Sequence, residues 1–309
     1  MHAVITGANG FIGKHLTLAL LQAAQQWQLT RLTVVDLALD QLPGHPLLNR
    51  VQGSFADVST ITRALATPAD LVFHLASVPS GHSESDPTLG VEVNVQGTLR
   101  LLDAMKAQGN QPMMVFASSI AVYGKPQVPL VTDATPPTPT LSYGAHKVIG
   151  EVLVNDYVRR GWIRGCSLRL PGIVTRPPEP NGAVSIFFSN LIRELSQGKP
   201  FTCPTDADAH TWLMSIGCCV DNLLQAARRD YPQQRTFMLP PLHVRLGDLV
   251  AAVGAEFGVN DVHRLVTWKK DDWVQFNFGS YPPVDLPQAK AHGFHADADL
   301  RTLVRQSLL

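Results

Sequence analysis

The chain has 309 residues, 45% of them hydrophobic, enough to bury one large core or a core with a lobe. Its 25 basic and 25 acidic residues cancel and form no basic run, which argues against nucleic acid or an anionic membrane surface as a partner. A strand that starts at His2 leaves no room for a signal peptide, and no apolar stretch is long enough to span a bilayer, so a cytoplasmic protein is expected.

His2-Ala-Val-Ile-Thr6 reads as a short strand, and residues 11–24 carry apolar side chains at helical spacing. Between them, Gly7, Gly10 and Gly13 form a G-x-x-G-x-x-G turn. Such a turn needs glycine for its unusual dihedrals and for close approach of backbone to a pyrophosphate. The helix that follows would point its free N–H groups at the phosphates. The second strand, residues 32–36, ends in Asp36, about 20 residues past the last glycine, where an acid can bond the adenosine ribose hydroxyls. A carboxylate repels a 2′-phosphate and Leu37-Ala38 offers no arginine, so the expected cofactor is NAD and not NADP.

Further strands are expected near residues 51–53, 70–76, 113–118 and 164–170, with helices at 59–66, 87–108 and from Ser142 onward. This alternation predicts an α/β fold, a doubly wound parallel sheet of the Rossmann kind. Residues 1–171 would form the NAD-binding domain and 172–309 mainly a smaller substrate lobe, with some segments returning to the sheet. Gly7, Asp36, Ser77, Ser119 and Pro171 all stand at carboxyl ends of strands, where such sheets bind ligands. The lobe includes a helix expected at 185–198. The four cysteines lack C-x-x-C spacing and the eleven histidines lack metal-ligand spacing, so no metal site is expected.

Tyr143 and Lys147 are one helical turn apart and share a face. Free phenols titrate near about 10, and a neighbouring ammonium favours the phenolate. Ser119, at the end of the fifth strand, can hold a substrate oxygen while Tyr143 takes its proton; its neighbour Ser118 could serve instead. Asn94 falls mid-helix, where asparagine is unfavourable unless it bonds something, and a bridge from helix to strand is expected.

The set Thr6-Gly-x-x-Gly-x-x-Gly13, Asp57, His74-Leu-Ala76, Asn94, Ser119, Tyr143-x-x-x-Lys147 and Arg169-Leu-Pro171 resembles the extended short-chain dehydrogenase/reductases, in family order and over nearly the whole chain. The resemblance implies an NAD-dependent oxidoreductase with Tyr143, Lys147 and Ser119 as catalytic residues. It implies that Gly7, Asn9, Gly10, Phe11, Ile12 and Gly13 hold the pyrophosphate side, and that Asp57 and Val58 join Asp36 around the adenosine. Leu75, Ala76, Ser77, Asn94, Ser118, Pro171 and Ile173 would line the rest of the cofactor, with Pro171 beside the carboxamide. A homodimer through a four-helix bundle, built from residues 88–108 and 142–160, is the family's habit.

Many members of that family act on sugar nucleotides and carry an arginine for the diphosphate. Here the corresponding region is Thr211-Trp-Leu-Met-Ser215, with Trp212 where that cation would stand, which points to a smaller substrate. The segments 168–178, 181–185, 200–204 and 212–215 resemble the erythronate-oxidising group of the family, NAD-dependent enzymes that convert C2 of a four-carbon sugar acid to a 2-oxo group. His82 departs from that group, where an acidic residue is expected beside the nicotinamide. Arg176, Asn181, Ser185 and the start of the Ser185 helix would receive the substrate carboxylate, Ser77, Ser119 and Tyr143 its hydroxyls, and Trp212 would either cover it or be a buried core residue. An epimerase or dehydratase acting on a sugar nucleotide, or a threonine or uronate dehydrogenase, is the alternative.

Overall fold

Five strands of a computed structural model pair in parallel: His2–Thr6 with Arg31–Asp36 and Leu71–His74, Arg31–Asp36 with Leu48–Gln52, and Leu71–His74 with Met113–Ser119. The structure describes residues 1–178 and 184–308. Arg164–Leu170 and Thr236–Met238 extend the far edge to seven strands. From the Leu48–Gln52 edge the sheet runs through Arg31–Asp36 and His2–Thr6, then reverses direction through Leu71–His74, Met113–Ser119 and Arg164–Leu170. Strand order therefore reverses between His2–Thr6 and Leu71–His74, and the crevice beyond that point is where a doubly wound sheet binds its ligand.

The chain divides into two compact units that interleave and do not meet at a single cut near residue 171. The first holds residues 1–122, 141–169 and 223–237. Its inner strands His2–Thr6 and Leu71–His74 are fully buried runs, as expected of a parallel sheet covered on both faces. One face packs Val4, Val72, Met114 and Phe116 against Ile61, Leu101, Leu102, Met105, Val154 and Tyr157 of three helices. These helices are Val58–Ala64, Thr98–Gln108 and Ser142–Arg159.

The second unit holds residues 123–140, 170–222 and 238–309. Its strand His210–Ser215 pairs antiparallel with Leu242–Arg245 and parallel with Gly172–Val174. Helix Phe187–Ser196 sets Phe187, Phe188, Leu191, Ile192 and Leu195 against Leu246, Leu249, Val250 and Val253 of helix Leu246–Phe257. Its spacing of apolar residues at i, i+3 and i+4 makes one face of each helix a core face. Among the described residues no helix is long and apolar enough to cross a membrane.

Candidate active site

The three glycines of the first turn do three different jobs. Gly7 has φ +73°, and a Cβ there would stand 2.7 Å from the Ala76 backbone nitrogen, so the tight turn and the neighbouring strand end exclude a side chain. At Gly13 a Cβ would lie 2.0 Å from the Gly7 carbonyl, which is what lets helix Phe11–Gln22 close onto the turn. Gly10 differs. It is exposed, and a Cβ there would meet only the Gly7 carbonyl, at 3.3 Å. That contact is tight but far milder than the one at Gly13, and the exposed bare backbone at Gly10 fits close approach of a pyrophosphate. The amides of Phe11, Ile12 and Gly13 occupy the first turn, where no helical carbonyl can accept from them.

Asn9 shapes this loop from within. Its N–H donates to Asp36 Oδ2 at 2.8 Å, its Nδ2 donates to Asp40 Oδ1, and its Oδ1 accepts the Gln41 N–H. Asp36 also accepts the Leu37 N–H at 2.7 Å. Burial raises the Asp36 carboxyl above its ordinary range, against the opposing pull of the Asn9, Leu37 and Gly10 amides. Beside these strand ends two large apolar side chains stand open, Leu37 at 70% and Val58 at 66% exposure. Asp57 is exposed at the start of helix Val58–Ala64 without capping it by its side chain.

The next strand end is braced by a buried relay. Thr98 Oγ1 donates to the Asn94 carbonyl at 2.8 Å, so it accepts from His74 Nε2 at 3.0 Å. His74 Nδ1 then accepts from Thr6 Oγ1 at 2.7 Å, and Thr6 Oγ1 accepts the Ala76 N–H. Burial drives the His74 pKa down to about 3, with the Lys147 charge adding to the effect. Asn94 lies in a π-helical segment, Glu92–Gly97, that interrupts the expected helix. Its Oδ1 accepts the Val78 N–H at 2.7 Å and its Nδ2 donates to the Val78 carbonyl at 3.0 Å. Asn94 thus bridges helix and strand end, fixing the loop of Leu75, Ala76 and Ser77 from behind.

The catalytic candidates gather on strand Met113–Ser119 and helix Ser142–Arg159. A Cβ at Gly150 would stand 2.5 Å from the Phe116 ring, so glycine allows the helix to lie directly on the strand. That approach brings Lys147 Nζ within 2.7 Å of the Ala117 carbonyl, in a buried position. The same ammonium lies 5.4 Å from the centroid of the Tyr143 ring. Burial lowers the Lys147 pKa, while Tyr143 and Glu151 pull it back up. Glu84 Oε1 accepts the Ser142 N–H at 2.6 Å and caps the start of this helix.

The two serines separate cleanly. Ser118 is buried and donates to Glu151 Oε1 at 2.5 Å, whereas Ser119 is part-exposed and, among the described residues, its Oγ accepts only the Ala121 N–H, at 3.1 Å. The hydroxyl free to meet a ligand is that of Ser119. Glu151 was not anticipated from the sequence. Its signal was an acid at i+4 from Lys147 on a helix face whose other buried members are mostly small or apolar.

The second unit carries the remaining candidates. Pro171 and Ile173 are buried, Ile173 within strand Gly172–Val174. The Arg176 N–H donates to Ser189 Oγ at 3.0 Å, and Arg193 donates to the Arg176 carbonyl. Ser185 falls in a 3-10 turn, Val184–Ile186, so the α-helix begins two residues later than expected, at Phe187. Asn181 lies outside the described residues. Of the two roles open to Trp212 the structure has the core one: the side chain is completely buried and does not cover a substrate. Its ring stacks on Tyr281 at 4.4 Å, and its Nε1–H donates to the Pro282 carbonyl at 2.8 Å, which satisfies a large amphipathic side chain inside the core.

Residues 3–237 match the NAD dependent epimerase/dehydratase family. A D-erythronate dehydrogenase of Cupriavidus necator is 36% identical over 99% of this chain and 97% of its own length. A D-erythronate dehydrogenase of Haemophilus influenzae is 30% identical over 99% and 98%. A crystal structure described as the nucleoside-diphosphate-sugar epimerase from Agrobacterium tumefaciens superimposes with a TM-score of 0.90 at 29% identity, covering 98% of this chain and 92% of that one. The glycine turn and the matching relatives agree, and the chain belongs to the NAD dependent epimerase/dehydratase family, as an NAD-dependent oxidoreductase of Rossmann fold.

Proposed function

We propose that this enzyme oxidises C2 of D-erythronate to 2-oxo-D-erythronate. The observation that carries the reading is the likeness to two D-erythronate dehydrogenases along 99% of the chain, the second unit included. The chemistry of residues 211–215 supports it, because Trp212 is sealed in the core where a sugar-nucleotide enzyme would need a cation for a diphosphate.

When bound, NAD supplies the hydride acceptor. Tyr143 takes the proton of the C2 hydroxyl, Ser119 steadies the same oxygen, and Lys147 keeps a positive charge beside the phenol. Gly7, Gly10, Phe11, Ile12 and Gly13 cradle the pyrophosphate, with Asp36, Asp57 and Val58 on the adenosine side. Leu75, Ala76, Ser77, Asn94, Ser118, Pro171 and Ile173 shape the remaining wall, and Arg176, Asn181 and Ser185 receive the sugar acid. The protein works as a homodimer through residues 88–108 and 142–160, whose exposed Leu89, Leu99, Ile149 and Val152 need cover. It resides in the cytoplasm, where four buried free thiols stay reduced.

A second reading, a nucleoside-diphosphate-sugar epimerase, is favoured by the description of the Agrobacterium tumefaciens structure. The two separate in one assay. Purified protein with NAD and a panel of sugar acids led by D-erythronate is expected to form NADH in excess over enzyme, and Tyr143→Phe to lose a hundredfold or more of that turnover, about what a general base contributes. Silence across the panel with NAD already bound favours the epimerase. Turnover surviving in Tyr143→Phe removes that residue as the base.

A further inference from the structure

Glu151 lies one turn beyond Lys147 on helix Ser142–Arg159 and is buried with both of its partners. Its Oε1 accepts from Ser118 Oγ at 2.5 Å and from Arg169 Nε at 2.9 Å; its Oε2 accepts from Arg169 Nη2 at 2.7 Å. Ser118 comes from strand Met113–Ser119 and Arg169 from strand Arg164–Leu170, so three elements meet at one carboxylate. Stability is a poor reason for such a pair. Taking two charges out of water costs about as much as their attraction returns, and apolar residues of the same volume often serve as well.

Its placement is more informative than its existence. Ala117 offers the carbonyl that accepts from Lys147, Ser118 the hydroxyl that pins Glu151, and Ser119 the hydroxyl left for a ligand. These residues are consecutive, so one turn of helix grips one strand end at two points. The Lys147 ammonium is buried on a neutral carbonyl and needs compensating charge. The titratable groups facing it are Tyr143 and Glu151 on its own helix, His146 beside it, and His74 from strand Leu71–His74. His74 is neutral, and burial holds the His146 pKa low, leaving Glu151 as the anion. The bidentate Arg169 fork occupies both carboxylate oxygens, so Glu151 does not swing onto Lys147 and draw the ammonium away from Tyr143.

We propose that Glu151 is a positioning residue of the dehydrogenase reaction: held by Arg169 and Ser118, it supplies the buried counter-charge that keeps the Lys147 ammonium beside Tyr143 and fixes the strand end that presents Ser119. Its effect on turnover rests on the dehydrogenase reading; the charge relation between Glu151 and Lys147 does not.

The test follows Lys147 directly. In full-length protein labelled with lysine carrying 13C at the ε-carbon, the Lys147 signal is assigned by its loss in Lys147→Met and titrated in wild type and in Glu151→Gln. Glutamine keeps the shape and an acceptor for Ser118 while removing the charge. The Lys147 midpoint is expected to fall by about one unit or more. Turnover should drop about tenfold or more, with NAD affinity changed by less than about twofold. Ser118→Ala keeps every charge and should lower turnover while leaving the Lys147 midpoint in place. If Glu151→Gln does not fold, Arg169→Gln decides: it frees Glu151 to pair with Lys147, so the midpoint should rise and turnover fall. A folded Glu151→Gln or Arg169→Gln protein whose Lys147 midpoint stays at the wild-type value overturns the proposal, as does a shifted midpoint with wild-type turnover in either. Should the wild type oxidise no sugar acid, the substrate reading fails alone and the Lys147 midpoint still decides this one.

Discussion

Asp36 accepts the backbone N–H of Asn9 at 2.8 Å, so the carboxylate that closes the second strand also holds the glycine turn that follows the first. On the proposed reading, cofactor selection and loop shape share one side chain. Asp36→Ala is expected to weaken NAD at least about tenfold, as loss of a hydrogen bond to a charged group does, and to narrow the preference over NADP. Asp36→Asn keeps an acceptor for Asn9 while losing the charge that repels a 2′-phosphate. It should recover part of the NAD affinity yet leave the preference narrowed. Fluorescence titration with both cofactors measures this, and an unchanged NAD-to-NADP ratio in both variants would remove Asp36 from the site.

Gly10 and Gly13 should fail in different ways. Alanine at Gly13 drives its Cβ to 2.0 Å from a carbonyl oxygen, so the turn must shift, at a cost of about 1–3 kcal/mol or more, and the melting temperature falls. Alanine at Gly10 meets the Gly7 carbonyl at 3.3 Å, a tight contact relieved by a shift of a few tenths of an ångström, and should lower the melting temperature far less than alanine at Gly13. Its cost should appear in NAD affinity, because its Cβ points where the pyrophosphate must come close. Thermal melts with and without NAD separate the two; a Gly10→Ala protein that binds NAD normally would place the pyrophosphate elsewhere.

Much of this was legible from periodicity and turn chemistry. Strand Arg164–Leu170 has the bounds expected of it, because a buried strand writes its own apolar run into the sequence. The π-helical segment Glu92–Gly97 was not legible, since one extra residue per turn hardly disturbs a helical pattern of apolar positions. Nor were the partners that enclose Trp212, since Tyr281 and Pro282 are far along the chain. The Glu151–Arg169 pair was hidden for the same reason: an acid on a helix and a base on a strand become a site only when the sheet brings them together.

Val152 is 62% exposed on helix Ser142–Arg159, three residues from exposed Ile149 and therefore on the same face. Apolar side chains left open at this spacing suit a helix-to-helix contact between two copies. Val152→Glu should turn a dimer into a monomer in light scattering at micromolar concentration, because a carboxylate buried in an apolar interface has no partner. The Tyr143 side of the helix is untouched, so any loss of turnover should track loss of the dimer. A wild-type protein that stays monomeric across the concentration range would dispose of the four-helix bundle.

His74 gives the fold a defined acid sensitivity. Its imidazole is neutral between Thr6 and Thr98, with a pKa lowered to about 3, against an ordinary value of about 6.5 in the unfolded chain. Between those values the unfolded chain binds a proton that the folded one refuses, so stability is present above about 6.5 and drains away as pH falls toward about 3, by up to about 1.4 kcal/mol per unit. Between pH 7 and pH 5 this single group should remove about 2 kcal/mol. His74→Gln keeps a donor and an acceptor but does not titrate. It should be less stable than wild type at pH 7, from imperfect geometry, and its stability should fall less steeply on acidification. Urea unfolding at the two pH values measures the difference in slope; parallel losses in wild type and variant would mean that His74 is not the group that senses acid.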